Sequence, residues 1–221
     1  MAARIGVICY LDEGISTRLL VYAAQLINQG IAPRSACRMA LVRLITDDVD
    51  IRITLDHAID AVALLGWAIE RLGDEFAIAG FSSNTRHEVR YQHIKGYAER
   101  WDDNVKGRLA AMQAGWSTRM GAALRHAGHY LNARKAEKKL LLVLTDGQPS
   151  DIDVQDERML IQDTHKAVQE LDRQGIYTYC INLDPHADEY VSDIFGQQYL
   201  VIDKVERLPE RLPQLFMALT K

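Results

Sequence analysis

With 221 residues, 48% hydrophobic and 25% charged, the chain has ordinary globular composition, which excludes a disordered polymer and leaves room for one large domain or a medium domain with an appendage. Lysine and arginine number 26 against 30 for aspartate and glutamate, a net charge of −4, and no stretch is basic enough for a nucleic-acid groove. The three cysteines, Cys9, Cys37 and Cys180, sit among apolar or small neighbours without CxxC spacing, so they read as reduced core thiols of a cytoplasmic protein.

The first apolar run, RIGVICYL (4–11), is too short to span a membrane and acids follow it at once. It is expected as a strand, with no targeting signal. TRLLVYAAQLINQG (17–30) reads as a helix with a Gly stop, APRSACRMALVRLIT (32–46) as a second helical stretch, and DDVDIRI (47–53) as a strand or a loop. Residues 1–52 are thus an atypical segment, either a first βα unit or a helical addition packed on the side. From Ile53 the pattern becomes regular, and residues 53–221 form the main domain.

TLDHAIDAVALLGWAIERLGD (54–74) has apolar residues at helical spacing and a Leu-Gly stop. EFAIAGFSSN (75–84) reads as a buried strand. HEVRYQHIK (87–95) alternates as a half-exposed strand does, and can pair antiparallel at an edge. DDNVKGRLAAMQA (102–114) is a short helix with an acidic first turn. STRMGAALRHAGHYLNARK (117–135) is an amphipathic helix with Ser117 and Thr118 in capping position.

The most apolar strand is 140–145, in KKLLLVLTDGQPSDIDV, which a parallel sheet would bury on both faces as a central strand. DERMLIQDTHKAVQELDRQG (156–175) is a helix closed by Gly175 and IYTYCINLD (176–184) a buried strand. A short helix at 189–196, a strand at 198–203 and a terminal helix at 208–221 complete the pattern. Strands separated by helices predict a three-layer α/β fold, with a mainly parallel central sheet and helices on both faces, Rossmann-like in plan.

Several enzyme signatures are absent: GxxxxGK[ST], GxGxxG and GxSxG do not occur. His126 and His129 lie one turn apart on a helix without a third ligand at zinc spacing, and read as a solvated or half-buried face. Asp151, Asp153, Asp156 and Glu157 lack the glycine and closing glutamate of a calcium loop, and read as solvated loop acids or a helix cap. Asp146 gains by combination with Thr118. One acid follows a strand and one hydroxyl opens a helix, both where a parallel sheet meets its ligands. Oxygen donors of this kind suit magnesium, which keeps some of its waters.

LLLVLTDGQPSDIDV, GWSTRMGAALRHA, AIAGFSSNTRHEVRY and YCINLDPHADEYVSDIFG together resemble the von Willebrand factor A (VWA) domain, in particular the C-terminal VWA domain of NorD/CbbO-type proteins. The resemblance covers roughly residues 55–221. It implies a metal-ion-dependent adhesion site built from a DxSxS motif after the first strand, a later Thr and the Asp of TDG. Thr118 and Asp146 match the last two. For the first, the nearest match is LDEGIS, with Asp12 and Ser16 as ligands, Gly14 in place of the middle Ser, and a longer spacing to the next strand than the family shows. LDHAID (55–60) offers no hydroxyls and aligns with the family's first helix, with Asp56 at the helix start.

The ligand set implied for Mg2+ or Mn2+ is therefore Asp12, Ser16, Thr118 and Asp146. The resemblance further implies a non-enzymatic adaptor working beside a MoxR-type AAA+ ATPase. The metal would grip an acidic side chain of a target enzyme, Rubisco or nitric oxide reductase. Two other readings stand beside it. One is a VWA scaffold without its metal that binds partners by surface shape. The other is a magnesium-dependent phosphotransfer domain using the acids of DDVDIRI.

Overall fold

The computed structural model describes residues 49–112, 117–184, 186–202, 204–208 and 211. The elements expected within 1–46, the candidate ligands Asp12 and Ser16, and nearly all of the terminal helix lie outside the described residues. α1 (Val49–Leu72) is a single helix of 24 residues. Leu55, Ala58, Val62, Leu65 and Ile69 recur every three or four positions and are all buried. Arg71 suits the negative end of the helix dipole, and Gly73 at φ 83° terminates the helix.

The strand or loop expected at 47–53 is overturned from Val49 onward. Ile51 continues the helical spacing of Leu55 and Ala58, so the segment extends α1. Asp56 accordingly lies inside α1 and not at its start. Asp50 is likewise helical and not at a strand end, while Asp47 and Asp48 lie outside the described residues.

β1 (Ile78–Thr85) and β2 (Glu88–Lys95) form an antiparallel hairpin, as the alternation of the second strand predicts. Lys95 is buried, yet its ammonium donates to the carbonyls of Phe76 at 2.8 Å and Gly96 at 3.2 Å, so the charge keeps acceptors. α2 (Asp103–Ala110) starts under the Asp102 carboxylate, which accepts from Val105 N at 3.0 Å.

Then follow α3 (Met120–Asn132), β3 (Lys139–Thr145), α4 (Glu157–Arg173), β4 (Ile176–Asn182), a short α5 (Val191–Phe195) and β5 (Tyr199–Val201). β3, β4 and β5 pair in parallel in that order, with β3 and β4 in register from Lys139↔Ile176 to Thr145↔Asn182. This is the α/β architecture that the alternating pattern predicts.

Helix packing is close where glycine permits it. A Cβ at Gly121 of α3 would collide with the Asp163 carboxylate of α4 and stand 3.1 Å from its carbonyl oxygen. A Cβ at Gly128 would collide with Leu171. Arg125 of α3 ties the same pair together, 2.9 Å from Asp163 and 2.6 Å from Glu170. Among the described residues no helix is long and apolar enough to cross a membrane.

Of the expectation that 140–145 is central and buried on both faces, the burial needs correction. Among the described strands β3 is at the edge of its sheet, and it is not hydrogen-bonded to β1. Its first four residues are half-buried, and only Val143, Leu144 and Thr145 are buried. The physical reason is a cavity of about 1260 Å3 between β1 and β3, lined by both strands and by α1 and α3.

Candidate functional site

The carboxyl ends of β3 and β4 lie side by side, because Thr145 is in register with Asn182. Leu183 N donates to Thr145 O at 2.8 Å, and the Thr145 hydroxyl donates to Gly147 O at 3.1 Å, which holds the turn that carries Asp146. Asp146 lines a pocket of about 310 Å3 together with Gln148, Asp184, His186, Glu189 and Tyr190.

Asp184 has a fixed orientation in that pocket. It accepts from His186 N at 2.9 Å and from the Tyr190 hydroxyl at 3.1 Å. The Tyr190 oxygen in turn accepts from the fully buried Asn182 amide at 2.9 Å. Burial pushes the Tyr190 hydroxyl well above the usual phenol range, so it serves as a donor at every physiological pH.

Thr118 reaches the same edge by a different route from the one expected. Ser117 and Thr118 do not cap α3, whose N-cap position is Arg119 with no side-chain capping bond. They form a short bridging segment instead. Ser117 exchanges backbone hydrogen bonds with Ser83 of β1 at 2.7 and 2.9 Å, and Thr118 does so with Ser150 at 2.9 and 3.1 Å. Both stand ahead of the N-cap position, with their backbones committed to these bridges. Thr118 is buried.

Next to Thr118, Arg119 locks the rim. Its backbone N–H donates to Ser83 Oγ at 3.1 Å, and its guanidinium reaches Asp151 at 2.6 Å and also Asp153. Arg86, in the β1–β2 turn, binds Asp153 through its side chain at 2.8 Å and its backbone N–H at 3.0 Å. Asp151 is therefore a buried ion-pair partner and not the solvated loop acid expected from sequence. Asp156 does cap α4, accepting from Arg158 N at 3.1 Å. His126 and His129 are exposed and pack around Tyr130, with centroids 5.1 and 5.8 Å from its ring.

The structure thus brings Thr118 and Asp146 to one sheet edge, while Asp12 and Ser16 lie outside the described residues. A carboxylate and a hydroxyl are hard oxygen donors of the right chemistry for magnesium or manganese. Two such donors fall short of a full protein ligand set, and among the described residues no group of three or more His, Cys, Asp or Glu could hold a metal ion. Sequence reasoning missed Asp184 and the Arg119 clamp. Asp184 was signalled by its place, two residues beyond the end of a strand parallel to β3. Arg119 was signalled only by its position directly after Thr118.

An α/β fold with a parallel sheet and an oxygen-donor rim defines a class of binding domain, and comparison with known proteins names it. Residues 50–203 match the von Willebrand factor type A domain model, so the chain belongs to that family. Residues 3–62 match a second family model, the CbbQ/NirQ/NorQ C-terminal region. The chain is 42% identical over 142 residues to Protein NorD of Stutzerimonas stutzeri, covering 64% of this chain and 23% of that protein. It is 40% identical over 173 residues to an uncharacterized protein of Pseudomonas aeruginosa, covering 78% and 28% respectively. It is 69% identical over 48 residues to Protein CbbQ of Hydrogenophilus thermoluteolus, covering 22% and 18%. The chain spans less than a third of the length of each of these relatives.

Proposed function

We propose that the chain is a non-enzymatic, cytoplasmic adaptor that binds a target protein at the rim formed by Thr118 and Asp146. A divalent cation, Mg2+ or Mn2+, would sit between these oxygens and an acidic side chain of the target. The partner is a MoxR-type AAA+ ATPase of the CbbQ/NirQ/NorQ kind, and the outcome is maturation of nitric oxide reductase or activation of Rubisco. The observation that carries the reading is the convergence of the Thr118 segment and the Asp146 turn on one sheet edge. The likeness to NorD and to the C-terminal region of CbbQ supports the choice of partner.

A specific observation favours a second reading, in which the domain binds partners by surface shape without a metal. Asp12 and Ser16 fall inside the stretch that matches the CbbQ/NirQ/NorQ C-terminal region, ahead of the VWA match. Metal titration separates the two. If the rim holds a cation, magnesium or manganese raises the melting temperature in step with the logarithm of its concentration, by about 2.7 kcal/mol of stability at a hundred times Kd. Asp146→Ala then keeps the fold, loses that shift and abolishes target activation while the ATPase still hydrolyses ATP. Asp12→Ala shows whether Asp12 belongs to the set. No shift with either ion at millimolar concentration would replace the metal adaptor with the shape-binding scaffold.

A further inference from the structure

The two faces of α1 differ in character. Ala58, Leu65 and Ile69 are buried on one face. On the opposite face, Asp60, Leu64, Trp67 and Arg71 follow one another at alternating helical spacings, so they form a single stripe along the helix. All four are exposed, Leu64 at 46% and Trp67 at 54%. The Arg71 guanidinium lies over the Trp67 ring, 5.2 Å from its centroid, which holds its charge beside the apolar patch. Among the described residues neither Asp60 nor Arg71 is in an ion pair. A lone exposed Leu or Trp is ordinary. Here the two adjoin on one stripe, with an acid at one end and a base at the other.

We propose that this stripe binds the same stripe of a second copy of the chain, the two α1 helices running antiparallel about a twofold axis. The order of the four residues selects that occupant. With the axis midway between Leu65 and Gly66, Leu64 meets Trp67 of the second copy and Asp60 meets Arg71 of the second copy. Twofold symmetry makes each contact occur twice. The apolar pairs then fill the middle, and an ion pair closes each end.

A parallel arrangement would set Asp60 against Asp60 and Arg71 against Arg71, so charge fixes the direction. The spacing of the stripe is that of helices packed side by side at a shallow angle. Trp and Arg are also the residue types that most often anchor protein interfaces. One helix stripe from each copy buries a small area, which gives a weak pair that forms as concentration rises.

The test is sedimentation equilibrium of the full chain at low salt, from micromolar to millimolar concentration. The expected result is a reversible equilibrium between monomer and dimer. Asp60→Arg alone and Arg71→Asp alone should each weaken the dimer at least about tenfold, because like charges then face each other at both ends. An equal mixture of these two variants should pair as the native chain does, since every Arg again meets an Asp. Trp67→Ala, at an exposed position, should keep the native melting temperature and stay monomeric. A native chain that is monomeric at millimolar concentration would overturn the proposal. So would a dimer that these variants leave intact, or a mixture that associates no better than either variant alone. No readout requires a metal or a target at the rim, so failure here leaves the adaptor reading standing.

Discussion

Thr118 and Ser150 exchange two backbone hydrogen bonds, at 2.9 and 3.1 Å, and this pair fastens the start of α3 to the loop that leaves β3. The adjoining pair, Ser117 with Ser83, fastens the same segment to β1. The β1–β2 hairpin and the three-stranded sheet therefore meet at the rim through residues 117–119, and the ion pairs of Arg119 and Arg86 brace that junction.

Removing the buried acid of this brace should be costly. Asp151→Ala leaves Arg119 with Asp153 alone and deprives Ile152 N of its acceptor at 2.7 Å. Breaking a buried pair from one side costs about 3 kcal/mol. Urea denaturation should show the midpoint falling with the far-ultraviolet spectrum preserved. A change below about 0.5 kcal/mol, the range of ordinary surface substitutions, would mean that the brace does not hold the rim.

The same network sets an acid limb of stability. The Arg86 side chain first, then its backbone N–H, and then Arg119 hold the Asp153 carboxyl well below the usual carboxylate range. The unfolded chain takes up that proton near an ordinary aspartate value of about 3.9. The contribution is thus fully present above that pH and is lost as pH falls toward the folded value. Asp153→Asn should lower stability at neutral pH and flatten the slope below about pH 4. Denaturation curves at a series of pH values check this, and an unchanged acid slope would remove Asp153 from the account.

Packing between α3 and α4 gives an opposite-sign expectation to helix propensity. Gly121→Ala gains up to about 1 kcal/mol of helix preference. The new methyl meets Asp163 on its side chain and at its carbonyl oxygen, and overpacking of that kind costs typically about 1–3 kcal/mol. A net loss in thermal stability is expected. A gain would mean that α4 shifts freely away from α3.

At the pocket, Tyr190→Phe removes the oxygen that serves both Asn182 and Asp184. Leaving the buried Asn182 amide without its acceptor costs roughly 1–3 kcal/mol. A double-mutant cycle with Asn182→Ala should return a coupling of about 1 kcal/mol between the two positions. Additive losses would break the link between them.

What the sequence conveys and what it hides follow from the range of the interactions. The α/β alternation is legible because α1, α4 and β4 each carry their own period or apolar run. Asp146 is legible as a rim acid because it ends the most apolar strand. Thr118 reads as a cap because Ser-Thr before an apolar helix is a local capping signal, whereas its true partner, Ser150, is distant in the chain. Asp151 reads as solvated for the same reason, since Arg119 is not its sequence neighbour. The half-buried start of β3 is hidden too, because apolar composition reports how much a strand wants cover and not what supplies it.

α1 belongs to two family matches at once, since residues 50–62 fall within both the CbbQ/NirQ/NorQ C-terminal stretch and the VWA stretch. At 1.5 Å per residue it is a rod of about 36 Å, with no proline to hinge it. Its second half is anchored through Leu65 and Ile69 in the core and by Trp101 against Gly66. One continuous helix therefore joins the Val49 end to the wall of the cavity between β1 and β3, as a shaft joins a handle to its head.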